Sequence, residues 1–212
     1  MNPSLQEIIA CIGHPVAGNP TQFVMERAFQ AAGVDARCLT ADVEPGRLED
    51  AIRGMESMGF SGAVIATPHE VSCRPHLVSE SPACSKLGEV DLIHREEAGF
   101  VGANTMYRAI NEVLARFYPL LDRKAVIFGD ESTARAAALV LSQSGISHLT
   151  VVSKGDGDVD RLARLVRENS ECQLDMQIWV DDYRVPGETD FVIQTVIEPE
   201  ERRLQIDWDT IT

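Results

Sequence analysis

At 212 residues the chain can form one large domain or two small ones, and its 44% hydrophobic and 25% charged content is ordinary for a globular protein. The formal net charge is −14, from 33 acidic and 19 basic residues. Phosphate binding rests on clustered Lys and Arg, so this balance argues against nucleic acid as a partner.

The apolar run E-I-I-A-C-I at 7 to 12, ended by Gly13, reads as a buried strand. Residues 21 to 32 carry apolar positions at Phe23, Val24, Ala28 and Phe29 and then meet Gly33, which predicts a helix with a glycine stop. A-R-C-L-T-A-D-V is a second strand. Pro45 opens a helix that presents Leu48, Ile52 and Met55 on one face. Gly62 leads into A-V-I-A, a third strand ended by Pro68. Strands alternating with helices predict a parallel sheet.

A helix is expected from Thr105 to about Tyr118, closed by Pro119. R-K-A-V-I-F-G then starts a second strand–helix–strand series, with a helix over A-R-A-A-A-L-V-L, a stop at Gly145 and the strand L-T-V-V. Further strands are expected at 176 to 180 and 190 to 196, and G-D-G-D at 155 to 158 reads as a loop. The boundary falls near residue 105. The expected fold is α/β: an N-terminal parallel-sheet domain over 1–104, then a shortened Rossmann-like domain over 105–212, with the crevice between them as the ligand site.

Four motifs occur in one order. G-H-P-V-A-G-N-P-T runs from Gly13, with Phe29 and Gly33 downstream; G-F-S-G-A-V-I-A-T-P-H-E spans 59 to 70; G-E-V-D spans 88 to 91; and G-A-N-T-M spans 102 to 106. In order and spacing they resemble the shikimate dehydrogenase family, whose signatures are G-x-P-V-x-H-S-x-S, G-F-x-G-x-N-V-T-x-P-H-K, G-A-V-N-T and G-x-N-T-D. The resemblance covers roughly residues 8 to 196. It implies a substrate domain followed by an NADP-binding domain, and an oxidoreductase acting on a small hydroxy acid in aromatic amino acid biosynthesis.

The resemblance also marks what has changed. The two serines that hold the substrate carboxylate in that family match Asn19 and Thr21, and the threonine of N-V-T matches Ala66. The catalytic lysine matches Glu70, the asparagine of G-A-V-N-T matches Asp91, and the catalytic aspartate matches Met106; Asn104 and Thr105 are kept. Hydride transfer from an alcohol carbon requires loss of the hydroxyl proton, which the family's lysine relays. Glu70 and Asp91 instead put negative charge where an anionic substrate would lie. His69, beside the lost lysine, has a pKa suited to proton transfer, and the alternative is a packed or capping histidine. Glu70 likewise reads as a solvated loop acid, a replacement base or a ligand contact.

In the second half, the family's glycine-rich loop G-A-G-G-A matches Gly129, Asp130, Glu131 and Ser132, so two acids crowd the place where pyrophosphate would lie. The next fingerprint matches Ser153 and Lys154, and Lys154 could meet a 2′-phosphate. NADP binding is therefore expected to be weak. Family members also continue past the strand matched here by D-F-V-I-Q-T-V, into a helix that offers a glutamine to substrate.

Cys73, His76 and Cys84 lack a fourth ligand in register, so no metal is expected. The five cysteines form no C-x-x-C pair, which suits free thiols in a reducing compartment, and with no signal-like start the expectation is cytoplasmic, without a membrane partner. Three functions stay open: a catalytically degenerate homologue, an NADP-linked dehydrogenase with an altered substrate using His69 or Glu70, and a small-ligand or regulatory module. An adjacent domain or a homodimer would fit any of these.

Overall fold

The chain divides into two units, Met1–Thr105 and Met106–Thr212, each with its own sheet. The computed structural model describes residues 6–117, 119–155, 158–180 and 183–196.

The first unit contains β1 (Glu7–Gly13), α1 (Thr21–Ala32), β2 (Ala36–Asp42), α2 (Leu48–Met58), β3 (Gly62–Ile65), β4 (Ser79–Glu80), α3 (Pro82–Leu87), β5 (Leu92–Glu96) and β6 (Gly99–Ala103). The sheet order is β2-β1-β3-β5-β6-β4. β1 pairs parallel with β2 and β3, but β5 runs antiparallel to both β3 and β6. The sheet is therefore mixed rather than uniformly parallel. The cause is local: Glu96 and Gly99 close a tight β5–β6 hairpin, with Gly99 at φ 137°.

α2 forms where the apolar spacing predicts it. Leu48, Ile52 and Met55 are buried against Ala10, Ile12, Ala63 and Ile65, while Glu49 and Asp50 complement the positive end of the helix. Gly59 ends it in the left-handed region at φ 81°, which a Cβ would oppose. α1 differs from expectation. Its apolar residues do not form one buried face: Met25 and Phe29 pack on Cys11, Val16 and Cys38, whereas Phe23 is 64% exposed under the Arg27 guanidinium and Val24 is 55% exposed.

The second unit contains most of α4 (Thr105–Phe117), then β7 (Lys124–Phe128), α5 (Ser132–Gln143), β8 (His148–Ser153), α6 (Val159–Asn169), β9 (Gln173–Ile178) and β10 (Phe191–Gln194). All four strands are parallel, in the order β10-β7-β8-β9. Ala134, Ala137 and Ala138 of α5 let the helix approach β7 and β8 closely, with Leu162 and Val166 of α6 beside it. On the opposite face, Phe128 meets Trp179 and Tyr183 edge-on at centroid distances of 5.6 and 5.4 Å. α6 was not anticipated. Its signal was present in Leu162, Leu165 and Val166 at helical spacing, and in Asp158, whose side chain accepts from Arg161 N. Among the described residues, no helix is long and apolar enough to cross a membrane.

Candidate functional site

Three strands of the first unit end or begin at one edge of its sheet. β1 and β3 finish there at Gly13 and Ile65, and the antiparallel β5 starts there after Asp91. Backbone bonds tie the following loops together: Ala66 N to Ile12 O at 2.7 Å, His14 N to Thr67 O at 3.0 Å, Ile65 N to Asp91 O at 2.8 Å and Val90 N to Glu70 O at 2.9 Å. A Cβ on Gly13 would lie 3.2 Å from Ala66 Cβ and 3.3 Å from Thr67 O, so glycine allows this junction. Ala66, Glu70, Asp91, Asn104 and Thr105 are thus gathered where open α/β sheets bind ligands.

Glu70 is half-buried. One carboxylate oxygen accepts from the Thr67 hydroxyl at 2.8 Å, and the other has no hydrogen-bond partner among the described residues. Thr67 is a site residue the sequence reading passed over, although Thr followed three positions later by Glu is a capping-type spacing that could have flagged it. Below Glu70, burial pushes the Cys73 thiol up to about 12, and the Glu70 charge adds to the rise. Cys84 is likewise raised, first by burial, with Glu80 and Asp91 contributing.

His69 is not positioned for proton exchange with a ligand. The residue is 0% exposed, its Nε2 lies 2.7 Å from Val43 O, and Nδ1 is buried without a partner. A ring nitrogen facing a carbonyl must carry the proton, so Nε2–H donates and the imidazole is a structural tie. A different histidine was missed. His14, next after β1, has Nδ1 3.0 Å from Asp42 Oδ1, and Asp42 pairs with Gly13 across the strands. The family motif leaves that position variable, so nothing in the motif draws attention to it.

The remaining family positions are mostly engaged by the protein itself. Asn19 Oδ1 accepts from Thr21 N at 2.9 Å, and burial pushes the nearby Cys11 thiol up while the Thr21 side chain lowers it. Asp91 accepts from Thr105 N at 2.6 Å and from the Thr105 hydroxyl at 3.0 Å, holding the first turn of α4. Asn104 is 6% exposed. Met106 opens the second unit and is 42% exposed.

In the second unit, the loop after β7 is filled by its own acids. A Cβ on Gly129, at φ 129°, would collide with Thr195 Oγ1 and lie 2.6 Å from Glu131 Oε2. Asp130 N donates to Glu131 Oε2 at 3.1 Å, and Glu131 Oε1 is buried with no hydrogen-bond partner. Asp130 is 8% exposed and its carboxylate accepts from Ser153 Oγ, which in turn accepts from Gly155 N at 2.9 Å. The structure therefore joins Asp130 to Ser153, and Ser132 begins α5. The Lys154 ammonium lies 5.2 Å from the centre of the Trp179 ring. Among the described residues, no group of three His, Cys, Asp or Glu side chains could hold a metal ion.

No family model matches the chain. It is 32% identical to the NADP⁺ shikimate dehydrogenase of Moorella thermoacetica over 151 residues, which are 69% of this chain and 50% of that one. The chain spans about half the length of the curated relatives it matches first. Among solved structures, the ligand-free 5-ketofructose reductase of Gluconobacter sp. strain CHM43 matches with a TM-score of 0.88 at 25% identity, covering 99% of this chain and 76% of that one. A shikimate dehydrogenase solved with NADP⁺ matches with a TM-score of 0.77 at 22% identity, covering 90% and 67%. Motif order, fold and these likenesses agree: the chain belongs to the shikimate dehydrogenase family, as a divergent member.

Proposed function

We propose that this protein is a shikimate dehydrogenase-like member of the NADP-dependent oxidoreductase class that has lost the ancestral reaction and retains the strand-end crevice of its first unit as a small-ligand site. Met1–Thr105 is then the substrate-type domain and the remainder a Rossmann-like one. The observation that carries this reading is Glu70. It stands where the family has its lysine, bonded to Thr67, and offers a carboxylate where the reaction needs a proton-relaying amine. Met106, a thioether, cannot replace an orienting aspartate.

NADP, when bound, supplies or accepts a hydride. The residues present do not fit its pyrophosphate. Glu131 and Asp130 occupy the loop that would approach it, and both carry negative charge. A steady-state assay of shikimate oxidation with NADP⁺ tests the reading: the expected result is no turnover above background, and a kcat near the roughly 10 s⁻¹ typical of enzymes would overturn it.

A second reading has its own support. The likeness to a 5-ketofructose reductase extends over 99% of this chain, which favours a reductase acting on a neutral ketone, with the cofactor phosphates reached by another route than the Gly129 loop. Reduced-cofactor consumption with 5-keto-D-fructose separates this from the degenerate reading.

A further inference from the structure

We infer that the strand-end crevice of the first unit selects uncharged, polyhydroxylated ligands and repels carboxylates, an inference that rests on reading this crevice as the small-ligand site. The positions matched to the family's proton-relaying lysine and to the asparagine of G-A-V-N-T carry Glu70 and Asp91 here, so the crevice shifts toward negative charge. Glu70 presents a carboxylate with one oxygen open, and Asp91 adds a second acid on the adjoining segment, linked through the Val90 N to Glu70 O bond. A carboxylate accepts hydrogen bonds and donates none.

The arginines of the first unit are engaged elsewhere. Arg74 forks onto Glu80 at 2.8 and 2.6 Å. Arg95 donates to Phe60 O at 2.8 Å and Glu56 O at 2.6 Å, closing the end of α2. Arg47 and Arg53 pair with Asp50 and Glu49 on α2 or beside it, Arg37 bonds Ala36 O, and Arg27 stacks over Phe23. The first unit's one lysine, Lys86, is exposed on α3. Of the two positions matched to the family's carboxylate-holding serines, one lacks a hydroxyl, Asn19, whose Oδ1 accepts from Thr21 N.

A sugar-type hydroxyl is the natural complement of such a site. It donates to a carboxylate in a charge-assisted bond, which is shorter and about twice as strong as a neutral one. A ligand carboxylate brought to the same place faces like charge, with no arginine of the first unit's described residues aimed at it. The likeness to a reductase named for a neutral keto-sugar points in the same direction.

Shikimate and its methyl ester differ in charge and little else, so they read the property directly. Isothermal titration of the whole chain should give an ester affinity on the order of tenfold or more above that of the acid. The gap should narrow in Glu70→Gln and should also narrow as salt is raised from about 0.01 M to 1 M, because screening weakens the repulsion. The salt series keeps the test valid if the variant folds poorly. D-fructose serves as an uncharged control. Acid and ester binding equally, or a gap untouched by both salt and Glu70→Gln, overturns the charge selectivity while leaving the crevice as a ligand site. No binding of acid, ester or D-fructose to either protein overturns the site reading and this inference with it.

Discussion

Asp91 accepts two hydrogen bonds from one residue, from the backbone N–H of Thr105 at 2.6 Å and from its hydroxyl at 3.0 Å. The carboxylate thereby satisfies a donor that the first turn of α4 would otherwise leave open, and its charge suits the positive end of that helix. The family's asparagine could accept from Thr105 with one oxygen and keep an amide for a ligand. Asp91 has both oxygens turned to the protein's own helix. Removal should therefore register in stability: Asp91→Ala is expected to lower the unfolding free energy by about 1–2 kcal/mol and Asp91→Asn by less than about 1 kcal/mol. Urea titrations of the three proteins measure this, and an unchanged midpoint in Asp91→Ala would mean that the cap contributes nothing.

The parts of the fold legible in sequence are those where one local rule decides. Leu48, Ile52 and Met55 spell out a helix face, and Gly33 and Gly145 mark stops, both with positive φ. The antiparallel β5 was not legible, because Leu92 to Glu96 mixes apolar and charged residues and its direction depends on the hairpin to β6. At the site, motif spacing grouped Glu70, Asp91 and Thr105 as candidate positions. It could not say that Asp91 bonds Thr105, that Thr67 holds Glu70, or that His69 turns away to Val43. Those are choices of rotamer and partner, settled by tertiary contact rather than by residue type.

The Arg74–Glu80 fork should make stability depend on acid pH. Both side chains are largely shielded, at 32% and 20% exposure, and the Arg74 hydrogen bonds hold the Glu80 carboxyl below its usual range. A carboxyl whose pKa is depressed on folding stabilises the protein above its unfolded value and loses that contribution as pH falls through the folded value. Wild type should thus exceed Glu80→Gln in urea midpoint near neutral pH, and the two should converge as pH drops below about 4.3, the ordinary glutamate value. A difference that grows on acidification would contradict the assignment.

The nucleotide loop can be relieved of its acids. Glu131→Gly removes the carboxylate lying against Gly129, and Asp130→Gly frees Ser153. With both, backbone N–H groups at the start of α5 regain access to an anion. Saturable NADP⁺ binding should appear by isothermal titration in the double variant and be absent at sub-millimolar cofactor in the unmodified chain. Tight binding by the unmodified chain would show that the phosphates enter by a different route.

Reverting the catalytic pair alone, Glu70→Lys with Met106→Asp, should restore little shikimate turnover. Residues that act as a unit are strongly non-additive, so restoring two members of a set has small effect while others stay absent. Ala66 still lacks the family's hydroxyl, Asn19 Oδ1 stays bonded to Thr21 N, and Asp91 stays bonded to Thr105. The cofactor loop also keeps Asp130 and Glu131. The variant should nevertheless fold, because Glu70 is only half-buried and Met106 is 42% exposed, so neither substitution forces a new charge into a packed core. The lysine does lose the Thr67 contact that Glu70 makes, a cost of about 1 kcal/mol. A double variant with native circular dichroism and a substantial kcat on shikimate would refute the argument and would mean that the dyad was the whole of the loss.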